Sequence, residues 1–476
     1  MMNYLAFPAI LEQAFLLLMA CLALLTSAFA RLTHQKHVYY LVQFTLLATI
    51  VLSFCYGQTV DQVLPLQHVA NDALSLCVNT LICLSAFTML IYAKPYIVKH
   101  GMPLNEFSTL VLFAVLGMSV LSAAHNLLLI YLGLELMSLS TYILVVLKRD
   151  NALAIEAGLK YFILGAIASG ILLYGISIIF GVTHSLDIQT IAAYGSDKTN
   201  PSHALLLVGL IFLIAGAAFK LGIAPFHMWV PDVYQGSPAP VATFIASAPK
   251  LAALMLLIRI FFEGLPLYFI TWSHVFIVLG IVSLAVGNIA ALRQTQIKRL
   301  LAYSSIAQMG YVVLAFACAS HKGNSSALMY MIGYIIPSLL TFGSFCLLSK
   351  NNDEVQDIES LKGLSSRFPW LSFLLLMAFF SMAGIPPLVG FMTKLIVIES
   401  LIQAGLTWVA VIAILFAIVG AFYYLRIVKV MYFEKPDSDV CLEISKQAKI
   451  TLTINGLLIL FLGIFPGVMI GYLGLF

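Results

Sequence analysis

An all-α polytopic membrane protein of about 14 transmembrane helices is the fold class this sequence predicts, and three observations carry it. Of 476 residues, 62% are hydrophobic and only 9% charged, against about 25% charged in soluble domains. The apolar runs reach the roughly 20 residues a helix needs to cross a bilayer, which excludes the short, half-polar strands of a membrane β-barrel. Two runs are interrupted by a Gly-Ile-x-Pro sequence, GIAP at 222–225 and GIPP at 384–387. Proline there removes a backbone donor within a helical run. Lipid tolerates such a break only where protein or a water-filled cavity satisfies the freed backbone.

In chain order the spans fall at about 9–30, 38–57, 73–94, 107–124, 126–147, 159–182, 205–230, 241–262, 272–292, 299–320, 325–349, 369–402, 406–432 and 450–473. SAFA at 27–30 resembles a signal cleavage site. The lack of Lys or Arg before the run, and Glu12 near its start, predict an uncleaved first helix instead. The seventh span carries the Gly222–Pro225 break. The twelfth is too long for one straight crossing, and its adjacent Pro386 and Pro387 predict a second broken helix. Each break lies in the fourth helix of a five-helix block, spans 4–8 and spans 9–13. The blocks start from opposite sides, the inverted-repeat plan of secondary transporters. The expected organisation is a three-helix segment over 1–100, a first repeat over 101–265, a second, inverted repeat over 266–435, and a loop with the last span over 436–476. The lysines match less simply, since Lys220 precedes its break and Lys394 follows its own.

Basic residues orient the chain. With the N-terminus outside, only Lys198, Arg259 and Lys322 fall in outer loops. Lys220, Lys250 and Lys394 lie within spans, and the rest of the 24 basic residues fall in inner loops. The even span count then puts both termini on the outer side. The cluster Asp353, Glu354, Asp357 and Glu359 reads as a solvated inner loop. A net charge of +4 spread over short loops points to no nucleic-acid partner. The seven cysteines form no CxxC pair, so neither a disulfide framework nor a metal cluster is expected. No Walker or Rossmann fingerprint occurs, and no facing histidines suit a haem.

The candidate functional residues are the ionisable groups inside the spans. A lysine at the centre of a lipid-spanning helix costs about 2.5–3.5 kcal/mol on the mild insertion scale. Lys220 and Lys250 flank the first break, and Lys394 follows the second. Glu135 lies mid-span in LLLIYLGLELMSLSTYILVV. It reads either as a protonated, hydrogen-bonded packing carboxyl or as the ionic partner of Lys220. Desolvation and proximity shift such a pair in opposite directions, so a change of spacing exchanges protons. For Lys394 the plainer alternative is snorkelling to the interface or pairing with Glu399. For His227, just after the first break, it is a satisfied polar residue rather than a relay. Glu156 and Lys160 read as an i,i+4 surface pair. KRLLAYSSIAQMGY at 298–311 puts Lys298 and Arg299 at the inner edge, and Ser304, Ser305 and Gln308 where they can bond between helices.

Glu in span five, Lys before the span-seven break, Lys in span eight, KRLLAYSSIAQMGY, and Lys after the broken span twelve together resemble the antiporter-like subunits of respiratory complex I, NADH–quinone oxidoreductase. That family is also similar to subunits of multisubunit sodium/proton antiporters. LIYLGLELMSLSTYIL at 129–144 and EAGLKYFILGAIASGILLYGISIIFG at 156–181 look like its subunit N branch. The chain ends at Phe476 without the lateral helix expected of subunit L, and position 394 is Lys where subunit M is expected to carry Glu. The resemblance implies two proton half-channels joined by a polar axis. It carries Glu135, Lys220, Lys250 and Lys394 over as proton-transfer residues, and His227 less securely. It implies no cofactor on this chain; NAD, quinone, FMN and iron–sulfur clusters belong to the whole complex. The implied partners are other antiporter-like and small hydrophobic membrane subunits, in a bacterial inner membrane. The rival expectations are a subunit of a cation/proton antiporter, a stand-alone small-solute transporter, and a structural scaffold.

Overall fold

Each apolar run becomes a helix whose ends are set by local chemistry. The computed structural model describes residues 7–29, 35–57, 68–69, 71–194, 203–350, 353–436, 440–442 and 444–473; Ala30 and Lys198 lie outside them. The helices are α1 (Phe7–Phe29), α2 (Gln35–Gly57), α3 (Ala73–Lys99), α4 (Leu104–Ala123), α5 (Leu127–Val145), α6 (Ala152–Thr183) and the short α7 (Ile188–Tyr194). Then follow α8 (His203–Leu221), α9 (Trp229–Gly236), α10 (Ala239–Ile245), α11 (Ala248–Leu257), α12 (Phe269–Leu292), α13 (Ile297–Phe316) and α14 (His321–Leu347). The last are α15 (Leu364–Arg367), α16 (Pro369–Ala383), α17 (Val389–Gln403), α18 (Thr407–Phe433), α19 (Lys446–Ile464) and α20 (Pro466–Leu473). Asn126, Asn151, Ser320 and Ser445 cap α5, α6, α14 and α19, their side chains accepting from the first free backbone N–H groups. The Asn151 cap starts α6 seven residues before the predicted span.

Among the described residues thirteen helical stretches are long and apolar enough to cross a membrane. The α16–α17 pair, two half-helices of 15 residues each, covers the predicted twelfth span. Both predicted breaks are present: α8 stops at Leu221 before Gly222, and α16 stops at Ala383 before Gly384. The predicted continuous eighth span is also divided, into α10, α11 and a π-helical turn over Ile258–Glu263. Pro249 causes the first division, because it lacks an N–H and its ring opposes the carbonyl four residues back, that of Ile245.

The chain forms two units. The first comprises Met1–Leu90, Gly101–Leu221 and Ala248–Trp272. Within it α4 lies against α5 and α6 against α8. The α4–α5 approach is close enough that a Cβ on Gly117 would stand 2.5 Å from the Met137 nitrogen. Arg259, expected in an outer loop, is instead 1% exposed on the π-helical turn. It pairs with Asp72 at 2.8 Å and Glu263 at 2.7 Å, so two carboxylates compensate the buried charge.

The second unit comprises Ile91–His100, Gly222–Ser247 and Ser273–Phe476. Here α14 packs against α10, α13, α16, α17 and α19. Strands β1 (Leu348–Lys350), β2 (Asp353–Glu354) and β3 (Val440–Leu442) form a small sheet in the order β2-β1-β3. Glu354 departs from the solvated loop expected for it. Its carboxylate pairs with the buried Lys298 at 2.6 Å and accepts from Ala239 N at 3.1 Å and from the Tyr96 hydroxyl. Lys298 also donates to Ser237 O at 2.7 Å. Lys298 is thus no surface residue, whereas Arg299 beside it bridges to Asp232 at 3.0 Å. The Glu156–Lys160 surface pair is formed, at 2.8 Å.

Burial alone would push the Glu354 carboxyl up, but the Lys298 charge and the converging donors hold it below the usual range. A depressed folded value means the stabilisation is complete above the unfolded value of about 4.3 and fades as pH falls through the folded one. Thermal unfolding of the solubilised protein should therefore lose a component on acidification that Glu354→Gln lacks. At neutral pH the substitution should cost about 3 kcal/mol, because it leaves Lys298 buried without its counter-charge.

Candidate functional site

Three lysines inside apolar helices define the candidate site, and each uses a neutral partner. Lys220 is the next-to-last residue of α8 and is half-buried. Its ammonium donates to the Ser138 hydroxyl on α5 at 2.7 Å. Ser138 spends its own hydrogen on Leu134 O, 2.6 Å away, which leaves the hydroxyl oxygen to accept. The Tyr142 ring, one turn further along α5, lies 5.9 Å from the same ammonium, within cation–π range. Glu135 precedes Ser138 by three residues on α5, so both face one side of the helix. It is the carboxylate whose charge acts on Lys220. Its Oε1 is buried without a hydrogen-bond partner in the protein. Glu135 therefore shares a face of α5 with Ser138, and the Lys220 ammonium meets Ser138 rather than forming a direct ion pair with Glu135.

Lys250, two residues into α11, is 1% exposed. Its ammonium donates to Leu221 O at 2.5 Å. Leu221 ends α8, so Lys250 takes up a terminal carbonyl at the first break, next to Lys220 in the chain. Helix C-termini carry unsatisfied carbonyls and a partial negative charge, which favour a cation.

Lys394 repeats that arrangement in the other unit. It lies in α17, and its ammonium donates to Met382 O at 3.0 Å and Ala383 O at 2.9 Å. The last four carbonyls of α16 are fully accounted for. Phe380 O accepts from Gly384 N and Ile385 N, Ser381 O from Gly384 N, and the remaining two from Lys394. The ammonium also stands 5.5 Å from the centre of the Tyr311 ring. At 8% exposure it does not snorkel. Glu399, its suggested partner, pairs with Lys322 at 2.9 Å instead, because the next turn of α17 points away from the break.

KRLLAYSSIAQMGY supplies the surroundings of Lys394. Gln308 donates to Tyr424 Oη at 3.1 Å and Met382 O at 3.3 Å. Ser304 bonds Tyr424, and Tyr330 donates to Gln308. Gln308, Tyr330, Tyr334 and Thr393 line a small cavity beside the lysine. The interhelical bonding expected of Ser304 and Gln308 is present, whereas the Ser305 hydroxyl is buried without a hydrogen-bond partner among the described residues. Tyr311, Tyr330 and Tyr424 were not singled out in the sequence, where aromatic residues are ordinary constituents of apolar spans.

His227 sits on the turn between α8 and α9, half-buried, with Nδ1 lacking a hydrogen-bond partner. Among the described residues no group of His, Cys, Asp and Glu side chains is placed to hold a metal ion.

Broken membrane helices with ammonium groups at their cut ends mark a class of ion-translocating membrane subunits, and sequence comparison places the chain within it. The chain belongs to the family described as NADH:quinone oxidoreductase/Mrp antiporter, TM, whose family model matches residues 124–420. NADH-quinone oxidoreductase subunit N of Coxiella burnetii is 46% identical over 97% of this chain and 96% of its own length. A chain of respiratory complex I from Thermus thermophilus, solved with bound aureothin, superposes with a TM-score of 0.81 at 31% identity, covering 96% of this chain and 97% of that one. A chain of the Mrp complex from a Dietzia species shares the fold, with a TM-score of 0.84 at 19% identity over 98% of this chain and 96% of that one.

Gly384 tests how tightly the second break is built. Its φ is +89°, and an added Cβ would stand 2.9 Å from Lys394 Cδ. Gly405, at φ +77°, has open space around the same added atom. Gly405→Ala should cost about 1 kcal/mol of backbone strain. Gly384→Ala should cost more, because it also displaces Lys394 from its carbonyls; thermal shifts of the solubilised protein compare the two.

Proposed function

We propose that the chain is the proton-translocating membrane subunit N of an NADH–quinone oxidoreductase, a multi-pass protein of the bacterial inner membrane. The observation that carries this reading is the placement of Lys250 and Lys394 on the terminal carbonyls of two broken helices, with Lys220 one residue from the first of them. Lys220 is the central proton carrier, and Glu135 sets its charge balance. Lys250 passes the proton along the midplane and Lys394 carries it on the exit side. His227 is an accessory relay at the first break. Each ammonium rests on a hydroxyl or carbonyl, which can accept from an ammonium and, more weakly, from the neutral amine left after proton release. The energy comes from neighbouring chains, since moving one charge against 100 mV costs about 2.3 kcal/mol. NAD, FMN, iron–sulfur clusters and quinone act elsewhere in the complex, and other antiporter-like and small hydrophobic subunits adjoin this one.

We read the two breaks as the matching points of an inverted repeat, with both termini on the outer side. The common ammonium-to-carbonyl arrangement supports the repeat, and the distribution of lysine and arginine supports the orientation. A reporter fused after Phe476 should respond from the outer side, and one inserted in the 434–439 loop from the inner side. Both responding from one side would sink the orientation.

The carrier assignment is tested by charge retained without exchange. Arginine keeps the positive charge and does not release its proton. Lys220→Arg should lose most NADH-driven proton uptake into sealed vesicles, normalised to assembled complex, as Lys220→Ala does. Glu135→Gln should impair uptake with assembly intact. Near-normal pumping by Lys220→Arg, with Lys220→Ala failing only through lost assembly, would refute Lys220 as a carrier.

A further inference from the structure

A groove opens on the second unit where α16 and α19 begin, apart from the lysines of the site. The first two turns of both helices and the end of β3 line it, and its volume is about 230 Å³. Roughly 150 Å³ suffices to hold a benzene in an apolar protein cavity, so this one takes several methylene groups. Its walls are hydrocarbon: Phe368, Leu371, Leu374, Leu442, Ile444 and Leu452. Trp370, also in the lining, is 45% exposed, and its indole N–H donates to the Thr453 hydroxyl on α19 at 3.0 Å. That bond ties the two helices together beside the groove. Tryptophans so placed, with the ring half-exposed and the polar edge satisfied, belong to the level of the lipid headgroups.

The charged residues of the lining are Arg367 and Lys449, with no carboxylate among them. Lys449 is exposed on the first turn of α19 and has no ion-pair partner among the described residues. Arg367 is exposed just before α16 and reaches the Val440 carbonyl, a neutral acceptor, at 3.5 Å. Stems of arginine and lysine lie along apolar walls while their heads stay in water. The first turn of α16 has no side-chain cap, so its leading N–H groups add partial positive charge at the same end. The groove thus offers a positive rim to an anion and an apolar interior to a hydrocarbon chain. A soluble anion would use only the rim. An apolar helix of another chain would use only the interior and would set two cations against hydrocarbon. An anion joined to an acyl chain matches both, and the bilayer around α16 and α19 supplies such molecules.

We propose that this groove binds an anionic phospholipid, its phosphate held by Arg367 and Lys449 and the start of one acyl chain lying against Leu371, Leu374 and Leu452. The site lies at the opposite end of α16 from the carbonyls that hold Lys394. It goes beyond the proposed function, which assigns no lipid, and needs none of the carrier roles.

The test places the assembled complex in nanodiscs containing a photoreactive phospholipid and maps the crosslinks by peptide mass spectrometry. A phosphatidylglycerol probe should label the segments around Leu371 and Leu452 about thirtyfold more than a phosphatidylcholine probe with the same acyl chains, the scale of two cations near a membrane surface. Arg367→Gln and Lys449→Gln should each cut phosphatidylglycerol labelling by about fivefold. Together they should abolish the preference and leave phosphatidylcholine labelling unchanged. Ile444→Trp, which narrows the groove from a loop, should reduce labelling by both probes. Equal labelling of the unaltered chain by the two probes overturns the site, as does a preference that survives the double variant. Unchanged labelling in Ile444→Trp overturns the placement of the acyl chain. No label at these segments while others in the complex are labelled, the result of a neighbouring chain seated on the groove, overturns the lipid. Labelling is read without turnover, so failure here is distinct from failure of the carrier assignment.

Discussion

Cut helix ends inside a membrane need donors, and here lysine side chains provide them. A helix leaves its last carbonyls unpaired, and in hydrocarbon each unsatisfied group costs several kcal/mol. A lysine ammonium in the same place is itself expensive. Bringing the two together offsets both costs, since the carbonyls carry partial negative charge where the cation sits. The α16 end shows this fully, with Gly384 N and Ile385 N taking two carbonyls and Lys394 the other two. Break and lysine are thus one feature: removing either strands the other.

Two kinds of buried cation coexist in the chain, and their partners set them apart. Arg259 and Lys298 face carboxylates at 2.6–2.8 Å. Breaking such a pair costs about 3–5 kcal/mol, so these charges are fixed in place. Lys220, Lys250 and Lys394 rest on a hydroxyl and on carbonyls, contacts whose net worth is about 1 kcal/mol each, somewhat more to a charged donor. These contacts do not pin a charge as a carboxylate pair does.

Family membership and geometry bear on different parts of the function. The matched region, 124–420, contains every lysine of the site and both breaks. It leaves out the whole of α1, α2, α3 and α4.

The amino-acid sequence by itself determined the membrane class, the span order, the two Gly-Ile-x-Pro breaks and the candidates Glu135, Lys220, Lys250 and Lys394. Each is written in local chemistry: long apolar runs, proline within a run, and charges where lipid forbids them. It even held the cause of the third interruption, Pro249, though an apolar run on both sides concealed it. Partnership was decided only by tertiary structure. Lys220 precedes its break and Lys394 follows its own, so alignment of the two motifs left them unmatched. In the fold Lys250 and Lys394 each donate to a carbonyl at the end of a broken helix, because a side chain from another helix reaches the cut end whatever its distance along the chain. For the same reason Arg259 read as a loop cation and Glu354 as solvated loop. What compensates a buried charge is a group brought up by another segment, and no span-by-span reading contains that approach.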